Sequence, residues 1–126
     1  CALPICDDLA RIQEIYDVVV RTQSQLDALG FTRERFLDPQ NDADDLLAEG
    51  FMNRVLRVTE EVGRISDNVA RQYGFDMRGA SGVRNRLAHA YMEVDREIVW
   101  QMLNEELGVL LGACQNYCDD RGLELA

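Results

Sequence analysis

Residues 46–70 read LLAEGFMNRVLRVTEEVGRISDNVA. Apolar side chains recur in this stretch at intervals of three and four residues, a spacing that places them along one face of an α-helix. These side chains are Leu47, Phe51, Val55, Val58, Val62, Ile65 and Val69. The pattern predicts a long helix that begins at Asn41 or Asp42, which can accept hydrogen bonds from the first free amides, and ends near Tyr73 and Gly74.

The same periodicity predicts further helices on both sides of this stretch. A first helix is expected from about Asp7 to Ala28, and a fourth from the predicted cap Asp95 to Gly122. A short third helix is expected over Arg84–Tyr91. Few β-branched residues alternate with polar ones, so strands are not supported. The sequence therefore predicts an all-α fold, an antiparallel bundle of four to five helices.

The connector between the first two helices carries Phe31, Phe36 and Leu37. We expect these side chains to cover the core from a loop or a short helical turn. The chain of 126 residues has the length of one domain, and a single helical domain is predicted over residues 1–126.

The formal net charge of −10 argues against broad, sequence-indifferent binding to nucleic acid, because a phosphate backbone is attracted by an extended basic surface. RNA would have to be held locally, and Arg78, Arg84 and Arg86 permit a small positive cleft on an acidic body. The sequence holds no apolar run of eighteen residues and no basic-then-apolar leader, so we expect no membrane contact and a cytoplasmic location.

Residues 84–91 read RNRLAHAY and contain His89, the only histidine of the chain. An imidazole with a pKa near ~6.5 can give or take a proton at neutral pH. The guanidinium of Arg84 stays charged and can contact a phosphate with two parallel hydrogen bonds. Asn85 stands four residues before His89 and can form a hydrogen bond along the same helix face. These residue types suit phosphodiester chemistry.

The motif and the residues after it resemble the HepT-like branch of the HEPN superfamily, whose hallmark is an Arg, four residues, a His, any residue and a Tyr. The matching positions are Arg84-Asn85, Leu87, His89, Tyr91, Val94-Asp95, Ile98-Val99-Trp100 and Glu106-Leu107. The resemblance extends over about residues 7 to 118. Glu61 stands where the family carries the Glu of a Gly-Glu pair, although the preceding residue is Glu60.

The resemblance implies a metal-independent endoribonuclease, the toxin of a toxin and antitoxin pair, that works without a cofactor. In that family the tyrosine at the position of Tyr91 accepts AMP from a partner minimal nucleotidyltransferase, which neutralises the toxin. The implied partners are a second copy of the chain, that antitoxin and RNA. The alternative is a non-catalytic module that keeps the motif but serves as an interaction partner of a nucleotidyltransferase.

Arg84 and His89 are five residues apart and differ by about 140° around a helix axis, so they do not converge automatically. Two chains that press their short helices together around a two-fold axis would supply two copies of each group. RNA cleavage by its own 2′-hydroxyl needs a base, an acid and a cation on the phosphorane oxygens. We assign catalysis to Arg84, His89 and Asn85, and substrate binding to Arg78 and Arg86.

Each of these side chains also has a simpler interpretation. His89 could be a hydrogen-bonded structural histidine, Asn85 a polar cap, and Tyr91 a half-buried aromatic residue whose hydroxyl finds a partner. Glu61 could support the arginines across the cleft or form a surface pair with an arginine of its own helix.

Four cysteines lie near the two ends of the chain, Cys1 and Cys6 against Cys114 and Cys118. The last two are four residues apart on a predicted helix, where Cβ atoms are about 5–6 Å apart, too far for a disulfide. Antiparallel first and last helices would let the N-terminal pair reach them, as disulfides or as a four-thiolate zinc site. The alternative is reduced thiols packed as small apolar groups.

Overall fold

The computed structural model describes residues 4–75 and 95–125, with side chains from Asp8 onward. Every regular element in these ranges is a helix, which confirms the predicted all-α class. The predicted third helix over Arg84–Tyr91 lies outside the described residues. In chain order the elements are α1 Pro4–Ala28, α2 Arg33–Leu37, α3 Asp42–Val62, α4 Asp67–Tyr73, α5 Arg96–Gln101, a π-helical segment Met102–Glu106 and α6 Leu107–Asp120.

Helix α1 packs against α3 in an antiparallel orientation. Near one end of the pair, Arg11 Nη1 donates to Glu61 Oε2 at 3.2 Å. Towards the other end, Arg54 Nη1 donates to Thr22 Oγ1 at 3.1 Å. Residue numbers therefore rise along one helix as they fall along the other.

Helix α1 also runs antiparallel to α6. The sulfur of Cys114 lies 3.7 Å from the carbonyl oxygen of Ile12. Farther along α1, the amide of Gln23 lies beside Gly108. Because α1 has a neighbour on each side, its side chains Ile12, Ile15, Val18 and Val19 are almost entirely removed from water, whereas Val20 is exposed. The most deeply buried side chains of the bundle include Ile12, Ile15, Val18, Val19, Phe36, Val55, Val58, Leu103, Leu107 and Tyr117.

The connector after α1 covers one end of the core, as predicted. Phe31 and Phe36 are buried, and the short helix α2, which contains Phe36, ends before Pro39. The ring of Phe31 lies 5.2 Å from that of Phe51, and the ring of Phe36 lies 5.5 Å from that of Trp100. These aromatic contacts fix the short helix against α3 and α5.

The connector is also held by one bidentate ion pair. Arg35 donates to both carboxylate oxygens of Asp44, at 3.1 and 2.7 Å, and to the carbonyls of Leu29 and Gly30. The hydrogen bonds from Arg35 hold the pKa of the Asp44 carboxyl below its usual range. Arg35 therefore joins the end of α1 to the first turn of α3.

The helix caps Asn41 and Asp95, which the sequence predicts, are present in the structure. Asn41 Oδ1 accepts from the amide of Asp44 at 2.8 Å, and Asp95 Oδ1 accepts from the amide of Glu97 at 2.9 Å. Helix α6 ends just before Gly122, which adopts a φ of 64° that favours glycine. Helix α1 begins at Pro4, about one turn before the predicted start, because proline is well accommodated in a first turn.

The prediction of one continuous helix from residue 42 to residue 73 is wrong. Helix α3 ends at Val62, and α4 begins only at Asp67. The amide of Arg64 donates to the Glu61 carbonyl at 3.1 Å, and that of Ile65 donates to the Val62 carbonyl at 3.2 Å, so the chain tightens into a turn.

Two features account for this break: Gly63, a poor helix former, is the C-cap of α3, and a carboxylate on α1 binds the turn that follows. Asp8 Oδ1 accepts from the amide of Ser66 at 2.9 Å, and Asp8 Oδ2 accepts from the Ser66 hydroxyl at 2.6 Å. Asp8 thereby takes the place of the backbone carbonyl that would accept from the Ser66 amide if the helix continued. Ile65 and Val69 remain buried, so the turn changes the chain direction without exposing the apolar stripe.

None of the described helices is long and apolar enough to cross a membrane.

The Asp8–Ser66 contact predicts a stability effect. Substitution Asp8→Ala leaves the partly buried amide and hydroxyl of Ser66 without their acceptor and should lower the free energy of unfolding by about 1–3 kcal/mol. Urea unfolding followed by circular dichroism measures this change. Asp27→Ala, an exposed carboxylate on the same helix, is the control and should change stability by less than about 0.5 kcal/mol. Equal effects of the two substitutions would contradict the assignment.

Candidate functional site

The residues predicted to carry the chemistry are close together in the sequence. Arg78, Arg84, Asn85, Arg86, His89 and Tyr91 all lie outside the described residues, so their roles stay predictions. The structure describes the chain immediately before residue 76 and immediately after residue 94. We call the segment that ends at Phe75 and the segment that begins at Asp95 the described frame of the candidate site.

The segment that leads into the motif is fixed by a left-handed turn. Gly74 has a φ of 83°, and its amide and that of Phe75 both donate to the carbonyl of Ala70, at 3.0 and 2.9 Å. This is a helix end that glycine allows at little cost. Phe75 is buried in the core, which anchors the chain at this point.

The segment that follows the motif is attached to α2. Arg96 Nη1 donates to the carbonyl of Phe36 at 2.8 Å, and its guanidinium lies 5.9 Å from the centre of that ring. Glu97 in the same turn forms an ion pair with Arg33. The start of α5 is therefore fixed to the connector that covers the core.

A cavity of about 260 Å³ lies between α3, the end of α4 and the helix that follows α5. Met102 and Glu106 of the π-helical segment form part of its wall. In this segment the helix is wider than an α-helix, since the amide of Leu107 donates to the carbonyl of Met102, five residues earlier. Such wide turns are frequent at functional sites. The lining is mainly apolar and consists of Thr59, Val62, Gly74, Met102, Glu106, Val109 and Leu110.

Sequence reasoning anticipated neither the cavity nor the π-helical segment. No proline or glycine occurs between Ile98 and Leu107 to signal an irregular turn. Among the described residues, the cavity is lined by one carboxylate, that of Glu106, and one hydroxyl, that of Thr59. The Thr59 hydroxyl already donates to the carbonyl of Leu56 at 2.8 Å, so it is occupied within its own helix.

A family model described as Ribonuclease HepT-like matches residues 6–116. This chain belongs to the HepT-like ribonuclease family. The match includes the whole stretch from Arg84 to Tyr91 and both segments of the described frame. It confirms the resemblance drawn from the motif, and it associates the chain with ribonuclease activity in general. Comparisons with curated proteins and with solved structures found no match.

Glu61, at the position of the HepT-like family's glutamate, has arginine partners in the described part of the chain. Its carboxylate is 14% exposed and lies 3.2 Å from Arg11 Nη1 and 3.6 Å from Arg64 Nη1. The pair with Arg64 agrees with the predicted surface pair, although Arg64 lies in the turn after α3 rather than on the same helix, and Arg11 adds a link to α1. Support of the motif arginines by Glu61 concerns residues outside the described ranges and stays a prediction.

The two C-terminal cysteines of this HepT-like chain are free, buried thiols. The prediction that Cys114 and Cys118 do not bridge each other is confirmed. Burial raises the pKa of the Cys114 thiol to about 12, and it also raises the pKa of Cys118. The side chains of Cys1 and Cys6 lie outside the described part, so any pairing or metal binding by them stays untested.

Thiol reactivity should therefore differ between the folded and the unfolded chain. In the folded protein at pH 8, Cys114 should react with a thiol-specific alkylating reagent at least about 100-fold more slowly than in urea, because the reactive thiolate is scarce and shielded. Peptide mass spectrometry after timed labelling measures each cysteine separately. Labelling of Cys114 at the same rate with and without urea would contradict its burial.

Proposed function

We propose that this chain is a metal-independent endoribonuclease that acts in the cytoplasm as the toxin of a toxin and antitoxin pair. The observation that carries the proposal is the family match, since it spans residues 6–116 and includes the Arg84, His89 and Tyr91 motif. Membership of a ribonuclease family supports RNA as the substrate class. The toxin role and the mechanism go beyond that membership and rest on the chemistry of the motif.

In the proposed reaction the 2′-hydroxyl of one nucleotide attacks the adjacent phosphorus. His89 accepts the proton of that hydroxyl, or donates one to the departing 5′-oxygen, as the P–O5′ bond breaks. Arg84 stabilises the charge on the phosphorane oxygens. The products are a 2′,3′-cyclic phosphate and a 5′-hydroxyl. Asn85 orients His89 or the phosphate, whereas Arg78 and Arg86 hold the neighbouring RNA.

The proposal includes a homodimer with the site in a cleft between two chains. The reaction needs both a base and an acid, and each chain has one histidine. A two-fold axis through the cleft brings two imidazoles and two Arg84 guanidiniums to one phosphate. It also removes the difficulty that Arg84 and His89 point about 140° apart on a single helix.

Tyr91 is the proposed site of neutralisation. The antitoxin, a minimal nucleotidyltransferase, would transfer AMP from ATP to the Tyr91 hydroxyl: the tyrosine oxygen attacks the α-phosphorus, pyrophosphate leaves, and the phenolic proton is released. Tyr91 stands two residues beyond His89. A bulky anion at that position would occupy the cleft and repel the substrate phosphate.

A second candidate function is a HEPN-type interaction module that keeps the motif without cutting RNA. The observation that favours it is the net charge of −10, which opposes the binding of a polyanion over most of the surface. Such a module would bind a nucleotidyltransferase through its acidic faces. Growth arrest on expression distinguishes the toxin from this module.

The catalytic assignment predicts cleavage in the presence of a chelator. Wild-type protein incubated with total RNA in EDTA should leave 2′,3′-cyclic phosphate and 5′-hydroxyl ends, whereas His89→Ala and Arg84→Ala should each lose at least about 100-fold in rate. End-specific labelling of the fragments reads the chemistry. Cleavage that demands a divalent ion, or full activity in either folded variant, would overturn the mechanism.

The neutralisation step predicts a change in mass. Incubation of the purified chain with the antitoxin and ATP should add one or more AMP groups, and the ribonuclease activity should fall as the adduct accumulates. Tyr91→Phe should gain no AMP and should remain active, since it lacks only the accepting hydroxyl. Intact-mass spectrometry measures both chains. An unmodified wild type, or an equally modified Tyr91→Phe, would rule out this role of Tyr91.

A further inference from the structure

Five arginines lie along the edge of the contact between α1 and α3: Arg11 and Arg21 on α1, Arg54 and Arg57 on α3, and Arg64 in the turn after α3. At one end of this edge the arginines have carboxylate partners. Arg11 and Arg64 share Glu61, and Arg57 forms an ion pair with Glu14. Ion pairs of this kind are common on helical surfaces and need no functional explanation.

The other end of the edge is different. Arg21 and Arg54 have no carboxylate within ion-pair distance among the described residues. Arg54 instead donates to the hydroxyl of Thr22 at 3.1 Å. Asp17, one turn before Arg21, accepts a hydrogen bond from Gln13 at 2.9 Å rather than pairing with Arg21. Within the described part of the chain, two cations thus have no carboxylate partner, although the net charge of the protein is −10.

The environment of Arg54 makes its charge costly. Partial burial lowers the pKa of its guanidinium, and the nearby charges of Arg21 and Arg57 lower it further. Removing a cation from water beside two like charges destabilises the fold unless an anion compensates. An anionic ligand at this place would therefore meet Arg21 and Arg54, which have no carboxylate partner among the described residues, and Arg57, whose carboxylate partner is Glu14.

We propose that Arg21, Arg54 and Arg57, which we call the arginine row, bind the phosphates of an RNA strand. The inference rests on the proposed ribonuclease function for the identity of the ligand. It adds a substrate-binding surface on α1 and α3 to the residues predicted in the motif. Guanidinium groups are the preferred donors to phosphate oxygens, and an overall acidic chain can hold a polyanion only where its cations gather.

Binding to a 2′-O-methyl RNA oligonucleotide tests the arginine row without cleavage, because this RNA lacks the attacking hydroxyl. Fluorescence anisotropy between 50 and 200 mM salt gives the affinity and its salt dependence. Arg21→Gln and Arg54→Gln should each weaken binding by about threefold to tenfold, and each should reduce the slope of log affinity against log salt by about 0.7. Glutamine is a good helix former, so Arg21→Gln should not perturb the exposed face of α1.

Two further variants sharpen the test. Arg71→Gln removes the same charge from an exposed position on α4 and should change the affinity by less than about twofold. Glu14→Gln frees Arg57 from its carboxylate and should tighten binding by about twofold to threefold. A tighter complex after loss of a surface ion pair is not expected from a purely structural role.

The outcomes separate the arginine row from the proposed function. Failure of the wild type to bind, or equal losses in Arg21→Gln and Arg71→Gln, overturns the row. A wild type that cuts ordinary RNA with a KM unchanged by Arg21→Gln and Arg54→Gln also overturns it, while the ribonuclease proposal stands. If the wild type binds RNA in a salt-dependent way that requires the arginine row but does not cleave RNA, the row is supported and the ribonuclease proposal is overturned. If Arg21→Gln and Arg54→Gln weaken antitoxin binding but leave RNA binding unchanged, the surface docks a protein, and this result contradicts the row.

Discussion

The contact between Asp8 on α1 and Ser66 just before α4 sets the direction in which the chain continues after α3. Asp8 is 4% exposed, and both of its carboxylate oxygens accept hydrogen bonds from the turn after α3. A buried carboxylate is tolerated only when it is satisfied in this way. The contact holds the turn after α3 and lets α4 lie against the end of α6, where the rings of Tyr73 and Tyr117 meet edge to face at 5.5 Å. That position of α4 fixes Gly74 and Phe75, from which the chain enters the motif.

Much of the fold could be predicted because it depends on local patterns. The apolar stripe of α3, the caps Asn41 and Asp95, and the end of α6 before Gly122 are each encoded within a few residues of where they act. The covering role of Phe31 and Phe36 also followed from two aromatic side chains in an otherwise polar connector. The family could be recognised because its hallmark residues lie within eight positions of one another.

The features that sequence reasoning missed depend on distant partners. The break after Val62 falls at Gly63, but the three- and four-residue spacing continues to Ile65 and Val69, and the Asp8 carboxylate that binds the Ser66 amide lies 58 residues before Ser66. The wide turn at Met102 has no proline or glycine to announce it. Among the described residues Arg54 has a hydroxyl partner and no carboxylate partner, and this is likewise a tertiary property, because it follows from which side chains α1 brings to α3. The described ranges do not include the motif residues Arg84, Asn85, His89 and Tyr91. Their proposed chemistry therefore rests on residue types and on membership of the family.

The central claim is that one imidazole per chain becomes a working site only when two chains share a cleft. Mixing His89→Ala with Arg84→Ala chains tests it most directly, after unfolding and joint refolding so that mixed dimers form. Each mixed dimer retains one His89 and one Arg84 in the shared cleft, whereas either variant alone retains only one of the two types. The account predicts that the mixture recovers part of the wild-type rate, because the one remaining imidazole can catalyse one of the two proton transfers beside the one remaining guanidinium, while both separate variants remain at least about 100-fold slower than the wild type. If native mass spectrometry shows that mixed dimers have formed and they are as inactive as either variant alone, the central claim is contradicted.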